Sequence, residues 1–149
     1  MKIFYLCRTG HHTSLLAAAL YAGVIDENET RPWSRLSGFD SINITDVGTP
    51  YYVGLDEENR EVYTIGVWNE NLIMSKAANE LISLMGVPRG RWKIVDTTSI
   101  TSRWTCLGQI MKTWHFDFWA KLFCQVGARK EMKILSSDIN RPDYNYVLH

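Results

Sequence analysis

Between Cys7 and Ser14 the chain reads Cys-Arg-Thr-Gly-His-His-Thr-Ser, and seven of these eight residues carry a thiol, a cation, an imidazole or a hydroxyl. The loop stands between an apolar, strand-like run and a helix starting at Thr13. Such a helix leaves its first backbone N–H groups unsatisfied and turns its positive dipole end toward the loop, which suits a phosphate or carboxylate. Gly10 eases the turn, Arg8, His11 and His12 supply charge or donors, and the Thr13 and Ser14 hydroxyls suit an oxyanion or a metal ion. His12, at the mouth of the helix, is the expected general base or phosphate donor because histidine titrates near neutrality. Adjacent histidines lack the spacing that presents two metal ligands on one helical face, so one of the pair is expected to face the site.

Asp96 ends a second apolar run, Arg91 to Asp96, and is followed by Thr97-Thr98-Ser99. A carboxylate there is the usual partner of a loop hydroxyl around magnesium, so a divalent metal, if one is used, is expected between Ser14 and Asp96, with Asp96 and His12 as the catalytic pair. Turn formation is the plainer role for Asp96. The loop departs from the standard nucleotide-binding P-loop, which needs a lysine where His12 stands, and this counts against ordinary ATP or GTP hydrolysis. A thiol followed by a polar loop and a helix is similar to the start of small tyrosine phosphatases and arsenate reductases. Their Cys-x-x-x-x-x-Arg loop would place the arginine at Thr13, so a buried thiol is the better reading of Cys7.

Cys7, Cys106 and Cys124 are widely spaced and form no Cys-x-x-Cys pair, which argues for free, buried thiols. His115, among Trp114, Phe116 and Trp119, reads as a structural histidine, and Asp56 is a remoter candidate for the site. Six tryptophans raise the question of base stacking, but basic residues are not grouped with them, and helical spacing assigns most of them to the core.

The elements that must position these residues follow from periodicity and turn signals. Thr13 to Ala22 reads as a helix closed by Gly23 and apolar nearly all round, hence buried against a sheet. Asp26 to Gly48 is a polar connection with a short helix near Trp33 to Leu36. Pro50 to Gly54 and Glu61 to Trp68 form a hairpin across Asp56 to Arg60. Asn69 or Asn71 caps a helix running through Met85, Arg91 to Asp96 is a strand, and two helices with a bend near His115 follow Ser102. Lys130 to Ser136 is open between strand and helical extension, and the tail after Asn140 is polar. Alternating strands and helices with one hairpin give an α/β three-layer sandwich, its mostly parallel sheet opening on a P-loop-like unit, as one domain over residues 1–149. Arg8 to Ser14 and Asp96 to Ser99 then share the edge where ligands collect.

Sixteen basic and sixteen acidic residues cancel, so no global field draws the chain to nucleic acid or an anionic membrane, and any anion site is local. The sequence opens on the strand-like Lys2 to Cys7, and no apolar run approaches the roughly 18 residues of a membrane span. A cytoplasmic location is expected.

On Cys7, Gly10, His12, Thr13 and Ser14 the chain resembles an uncharacterised family of small proteins, a domain of unknown function, from spore-forming Gram-positive bacteria. Its members look like a strand ending in His-Cys, a glycine-rich loop with His-Ser-Ser and an alanine-rich helix. Gly54-Leu55-Asp56-Glu57, Val62-Tyr63, Gly66 and the strand ending in Asp96 are similar too. The resemblance covers residues 2 to 100 and is weaker beyond, where only Leu107-Gly108-Gln109 corresponds to the family's later features. It implies no reaction, and points to His12 rather than His11.

Two functions are therefore expected in competition. One is a phosphate- or nucleotide-binding protein, with phosphoryl transfer or hydrolysis as its chemistry, built on Arg8 to Ser14. The other is a non-catalytic regulatory or assembly protein that meets a protein partner, a second copy included, through aromatic helices around Trp104, Trp114 and Trp119.

Overall fold

The computed structural model describes residues 1–26, 28–39, 47–68, 71–84, 88 and 90–139. Strand β1 (Lys2–Cys7) is apolar on both faces, as a strand covered from both sides must be. It lies between two parallel neighbours, β3 (Glu61–Gly66) and β4 (Trp92–Asp96), in registers running from Lys2 opposite Glu61 to Cys7 opposite Gly66, and from Lys2 opposite Trp92 to Leu6 opposite Asp96. The hairpin partner β2 (Pro50–Leu55) runs antiparallel to β3 at the edge, with a register shift between Tyr52 and Gly54. The resulting four-stranded order is β2-β3-β1-β4, mostly parallel with one antiparallel pair.

Side-chain alternation sends the strands' residues into two separate apolar layers. Ile3, Tyr5, Val62 and Val95 face helix α1 (Thr13–Tyr21) and Ala128, Met132 and Leu135 of helix α4 (Asp117–Ile139). Phe4, Leu6, Ile65 and Ile94 face the opposite way, where Ala78 of α2 (Asn71–Leu84) meets them. Helices thus cover both faces of the sheet. Ala17, Ala18 and Ala19 of α1 are wholly buried, their small side chains letting the helix lie close to its neighbours.

The hairpin turn is held by Asp56, whose Oδ1 accepts from the Glu58 and Arg60 N–H groups while Oδ2 takes the Arg60 guanidinium at 2.5 Å. Arg60 also donates to the Tyr21 hydroxyl at 2.6 Å, tying the turn to the end of α1. Burial by itself raises the Asp56 pKa, but the donors from Arg60 and Glu58 outweigh it and hold the carboxyl below its ordinary value. Asp56 accordingly works as a turn anchor.

Helix α3 (Arg103–Thr113) is capped by Ser102, whose Oγ accepts from Thr105 N–H, and packs antiparallel-fashion on α4 through glycines. A Cβ on Gly108 would lie 2.6 Å from the Cys124 sulfur, and one on Gly127 would strike Thr105. The segment Lys130 to Ser136, open between strand and helix in the sequence, continues α4.

Two expectations need correction or limiting. The aromatic residues of α3 and α4 are not core: Trp114 is 72% and Phe118 76% exposed, and Trp104, Phe116 and Trp119 are exposed as well. The inward stripe is made of Thr105, Gly108, Ala120, Cys124, Ala128, Met132 and Leu135, small or flexible residues that allow close helix contact, which leaves the bulky rings on the outer side. Of the tryptophans, Trp33, in the short helical turn Pro32–Arg35, is the buried one. The expected end of α2 at Met85, the alternative cap Asn69 and the tail beyond Asn140 fall outside the described residues.

Candidate functional site at the carboxyl ends of β1 and β3

After Cys7 the chain turns sharply across the end of β3, and two glycines make that possible. Gly10 takes a left-handed φ of +77°, and a Cβ there would lie 2.5 Å from Gly66 N; a Cβ on Gly66 would in turn lie 2.7 Å from Thr9 O. The Cys7 sulfur accepts from Gly10 N–H at 3.1 Å and from the Ser14 hydroxyl at 3.0 Å. Ser14 also meets the Thr64 hydroxyl, which donates to Gly10 O at 2.8 Å. Cys7, Gly10, Ser14, Thr64 and Gly66 thereby form one buried knot between β1 and β3. Beside it, Val67 N–H donates to Cys7 O and Trp68 N–H to Arg8 O, and the Arg8 guanidinium lies 4.7 Å from the Trp68 ring centre.

The connections leaving this edge diverge. That from β1 enters α1 on one face of the sheet, and that from β3 leads to α2 on the other. Adjacent parallel strands whose crossovers part in this way open a crevice at their carboxyl ends, the usual ligand position in open α/β sheets.

The two histidines point to different surroundings. His11 lies edge-on to Tyr51 of β2, ring centres 6.0 Å apart, and His12 edge-on to Phe39 at 5.4 Å. His12 is 1% exposed, and burial first, then the charges of Lys112 and His11, lowers its pKa to about 3. It is therefore a neutral imidazole at physiological pH, in contrast to the near-neutral titration that the residue type implies.

Thr13 opens α1 without facing the crevice. Its hydroxyl donates to Glu131 Oε2 at 2.9 Å and lies 3.0 Å from the Thr101 hydroxyl. Glu131, on α4, is wholly buried, and its Oε1 accepts from Ser102 N–H at 2.8 Å and Thr105 Oγ1 at 2.5 Å. One carboxylate so joins the starts of α1 and α3. Burial raises its pKa, with the three donors opposing. Sequence reasoning passed over Glu131, although a signal was there: it sits three residues after Ala128 and four before Leu135, on the buried stripe of its helix.

Asp96 reaches the same sheet edge on β4, opposite Leu6, where Oδ1 accepts from Thr98 N–H at 2.9 Å and Thr98 Oγ1 at 2.6 Å. Thr97 beside it donates both its N–H and its hydroxyl to Leu6 O. Ser14 is turned toward Cys7 and β3, whereas Asp96 belongs to β4 on the other side of β1. Among the described residues, no group of three or more His, Cys, Asp or Glu side chains is arranged to hold a metal ion. None of the three cysteines is in a disulfide, Cys7 and Cys124 being buried and Cys106 partly exposed; His115 sits in the exposed turn between α3 and α4 with a φ of +61°. Among the described residues, no helix is long and apolar enough to cross a membrane.

The fold is that of an open, mostly parallel α/β sheet with helices on both faces. The chain belongs to the family described as protein of unknown function DUF3189, whose model matches residues 2–140. The match runs through α3 and the whole of α4, farther than the expected limit near residue 100. No curated protein and no solved structure matches the chain.

Proposed function

We propose that this protein binds a phosphate-bearing small molecule, nucleotides included, in the crevice between the carboxyl ends of β1 and β3. The observation that carries the reading is the meeting of Cys7, Arg8 and Gly10 with Gly66 and Trp68 at the carboxyl ends of β1 and β3, where the two crossovers part. In this reading the P-loop-like unit supplies backbone amides after Gly10 and at the start of α1, and Arg8 supplies the positive charge. His11 and His12 flank the loop, His12 as a neutral hydrogen-bonding group. A hydrolytic or phosphoryl-transfer step would draw on the nucleophilic lone pair of Cys7, since burial leaves His12 a weak base.

Thermal unfolding across a panel of inorganic phosphate, nucleotides and magnesium tests the proposal, with Arg8→Gln as the comparison. Binding to the native state raises the midpoint with ligand concentration by mass action. The expected result is a shift in the natural protein that is lost in Arg8→Gln. Equal shifts in both proteins would remove Arg8 and the crevice from the reading.

A second reading is favoured by a separate observation: Trp104, Trp114, Phe116, Phe118 and Trp119 are exposed along the α3–α4 hairpin. Contiguous apolar surface of this kind is characteristic of contact with another protein. Light scattering over a concentration series tests it. A dimer weakened by Trp114→Ala and Phe118→Ser supports assembly through this face, whereas a strict monomer at all concentrations counts against self-association.

A further inference from the structure

Between the short helical turn Pro32–Arg35 and the α3–α4 hairpin lies a cleft of about 530 Å³. Its described lining carries three cations, Arg31, Lys112 and Lys121, and no carboxylate. In a chain whose basic and acidic residues number sixteen each, that one-sided set is a local arrangement and not the overflow of a basic protein. Trp33 and Phe39 form its apolar wall, their rings tilted 31° with centres 6.4 Å apart, and α4 offers Gln125 one turn after Lys121. Like charges gathered in a concave site with low-dielectric walls focus the potential there. The volume falls within the roughly 300–1,000 Å³ of sites that take cofactor-sized molecules. None of the lining residues belongs to the β1–β3 crevice.

We propose that this cleft is a second binding site, one that takes a small polyanion of nucleoside-diphosphate size, with Arg31 and Lys121 meeting the phosphates and Gln125 donating a hydrogen bond. An apolar wall alone would suit a neutral aromatic molecule. Arg31 and Lys121 at its rim select for charge, so the diphosphate is the recognised part and the ring packs at the Trp33 and Phe39 edge. The proposal is tested apart from the first reading, because the two use different arginines, although Phe39 and Lys112 of the cleft also lie beside His12 of the loop.

Isothermal titration with adenosine diphosphate, inorganic pyrophosphate and uncharged adenosine tests it. Three proteins are compared: the natural chain, the double variant Arg31→Glu/Lys121→Glu, and Arg8→Gln. Arg31 and Lys121 are exposed, so the charge reversals leave the core intact, and circular dichroism checks that they do. The expected result is binding of the diphosphate and of pyrophosphate but not of adenosine, weakened by about tenfold or more in the double variant and unchanged in Arg8→Gln. Absence of diphosphate binding at millimolar concentration would overturn the proposal. So would equal affinity in the double variant. Loss confined to Arg8→Gln would overturn it too, while supporting the crevice as the phosphate site.

Discussion

The Ser14 hydroxyl donates to the Cys7 sulfur across 3.0 Å, joining the first turn of α1 to the last residue of β1. The sulfur keeps a second donor, Gly10 N–H, and the Thr64 hydroxyl that Ser14 also meets keeps its bond to Gly10 O, so Ser14→Ala strands no strong polar group. Thr64→Val is different, because it takes away the donor that Gly10 O receives in a buried place. Urea unfolding is expected to give a cost of about 1 kcal/mol for Ser14→Ala and roughly 1–3 kcal/mol for Thr64→Val. The reverse order would mean that the sulfur, and not the Gly10 carbonyl, is the centre of the knot.

Glycines 10 and 23 both take left-handed backbone angles, but their surroundings differ. Nothing lies within 4 Å of a Cβ built on Gly23, whereas one on Gly10 meets the backbone of β3. Gly23→Ala is expected to cost about 1 kcal/mol, the conformational penalty alone. Gly10→Ala adds backbone overlap and is expected to cost about 3 kcal/mol or more. Thermal midpoints of the two variants, measured side by side, check the difference.

The lowered pKa of His12 fixes the sign of a pH effect. Between about 3 in the native state and the ordinary 6.5 of an unfolded histidine, the unfolded chain binds more protons. Stability is therefore complete above pH 6.5 and falls as the pH drops toward 3, by an amount on the order of 5 kcal/mol in all. Denaturant unfolding between pH 4 and 7 is expected to show this slope in the natural protein and to lose most of it in His12→Gln. An identical slope in the variant would assign the acid sensitivity elsewhere.

Glu131 titrates in the opposite sense. Its raised native pKa gives stability that is present below the ordinary carboxylate value and lost as pH rises through the native one. Glutamine can keep an oxygen for Ser102 N–H and Thr105 while its amide donates to Thr13, whose own proton can turn to Thr101. Glu131→Gln is thus expected to fold with near-natural stability at neutral pH. Glu131→Leu removes the acceptor of Ser102 N–H and of the Thr105 and Thr13 hydroxyls and is expected to cost about 2–4 kcal/mol. Unfolding free energies of the two variants at pH 7 give the comparison.

The strand–loop–helix at the start was legible because each part announces itself: an uninterrupted apolar strand, a glycine, and an alanine-rich helix with a glycine after it. The hairpin from Pro50 to Gly66 was legible for the same reason, since β-formers flank a polar turn. The orientation of α3 and α4 was not. Helical spacing shows that Trp104, Trp114 and Trp119 recur, but not whether rings or small residues face inward, and Gly108, Ala120 and Cys124 decided that. Gly127 likewise is the place where α4 lies against Thr105. The chemistry of His12 depended on Phe39 and Lys112, residues distant in the chain, and no local pattern reports them. Where the site is local the sequence was informative; where it depends on packing between helices it was silent.

The close seating of Gly10 on Gly66 couples two motions. With backbone against backbone and Val67 and Trp68 N–H groups bonded back to Cys7 and Arg8, the loop has no side chain between it and β3 to give way. Loosening the loop therefore requires the ends of β1 and β3 to part, and the loop and the sheet edge open as one unit. In hydrogen-exchange terms, the amides of Gly10, Val67 and Trp68 form a single cooperative group, far apart in sequence yet released together.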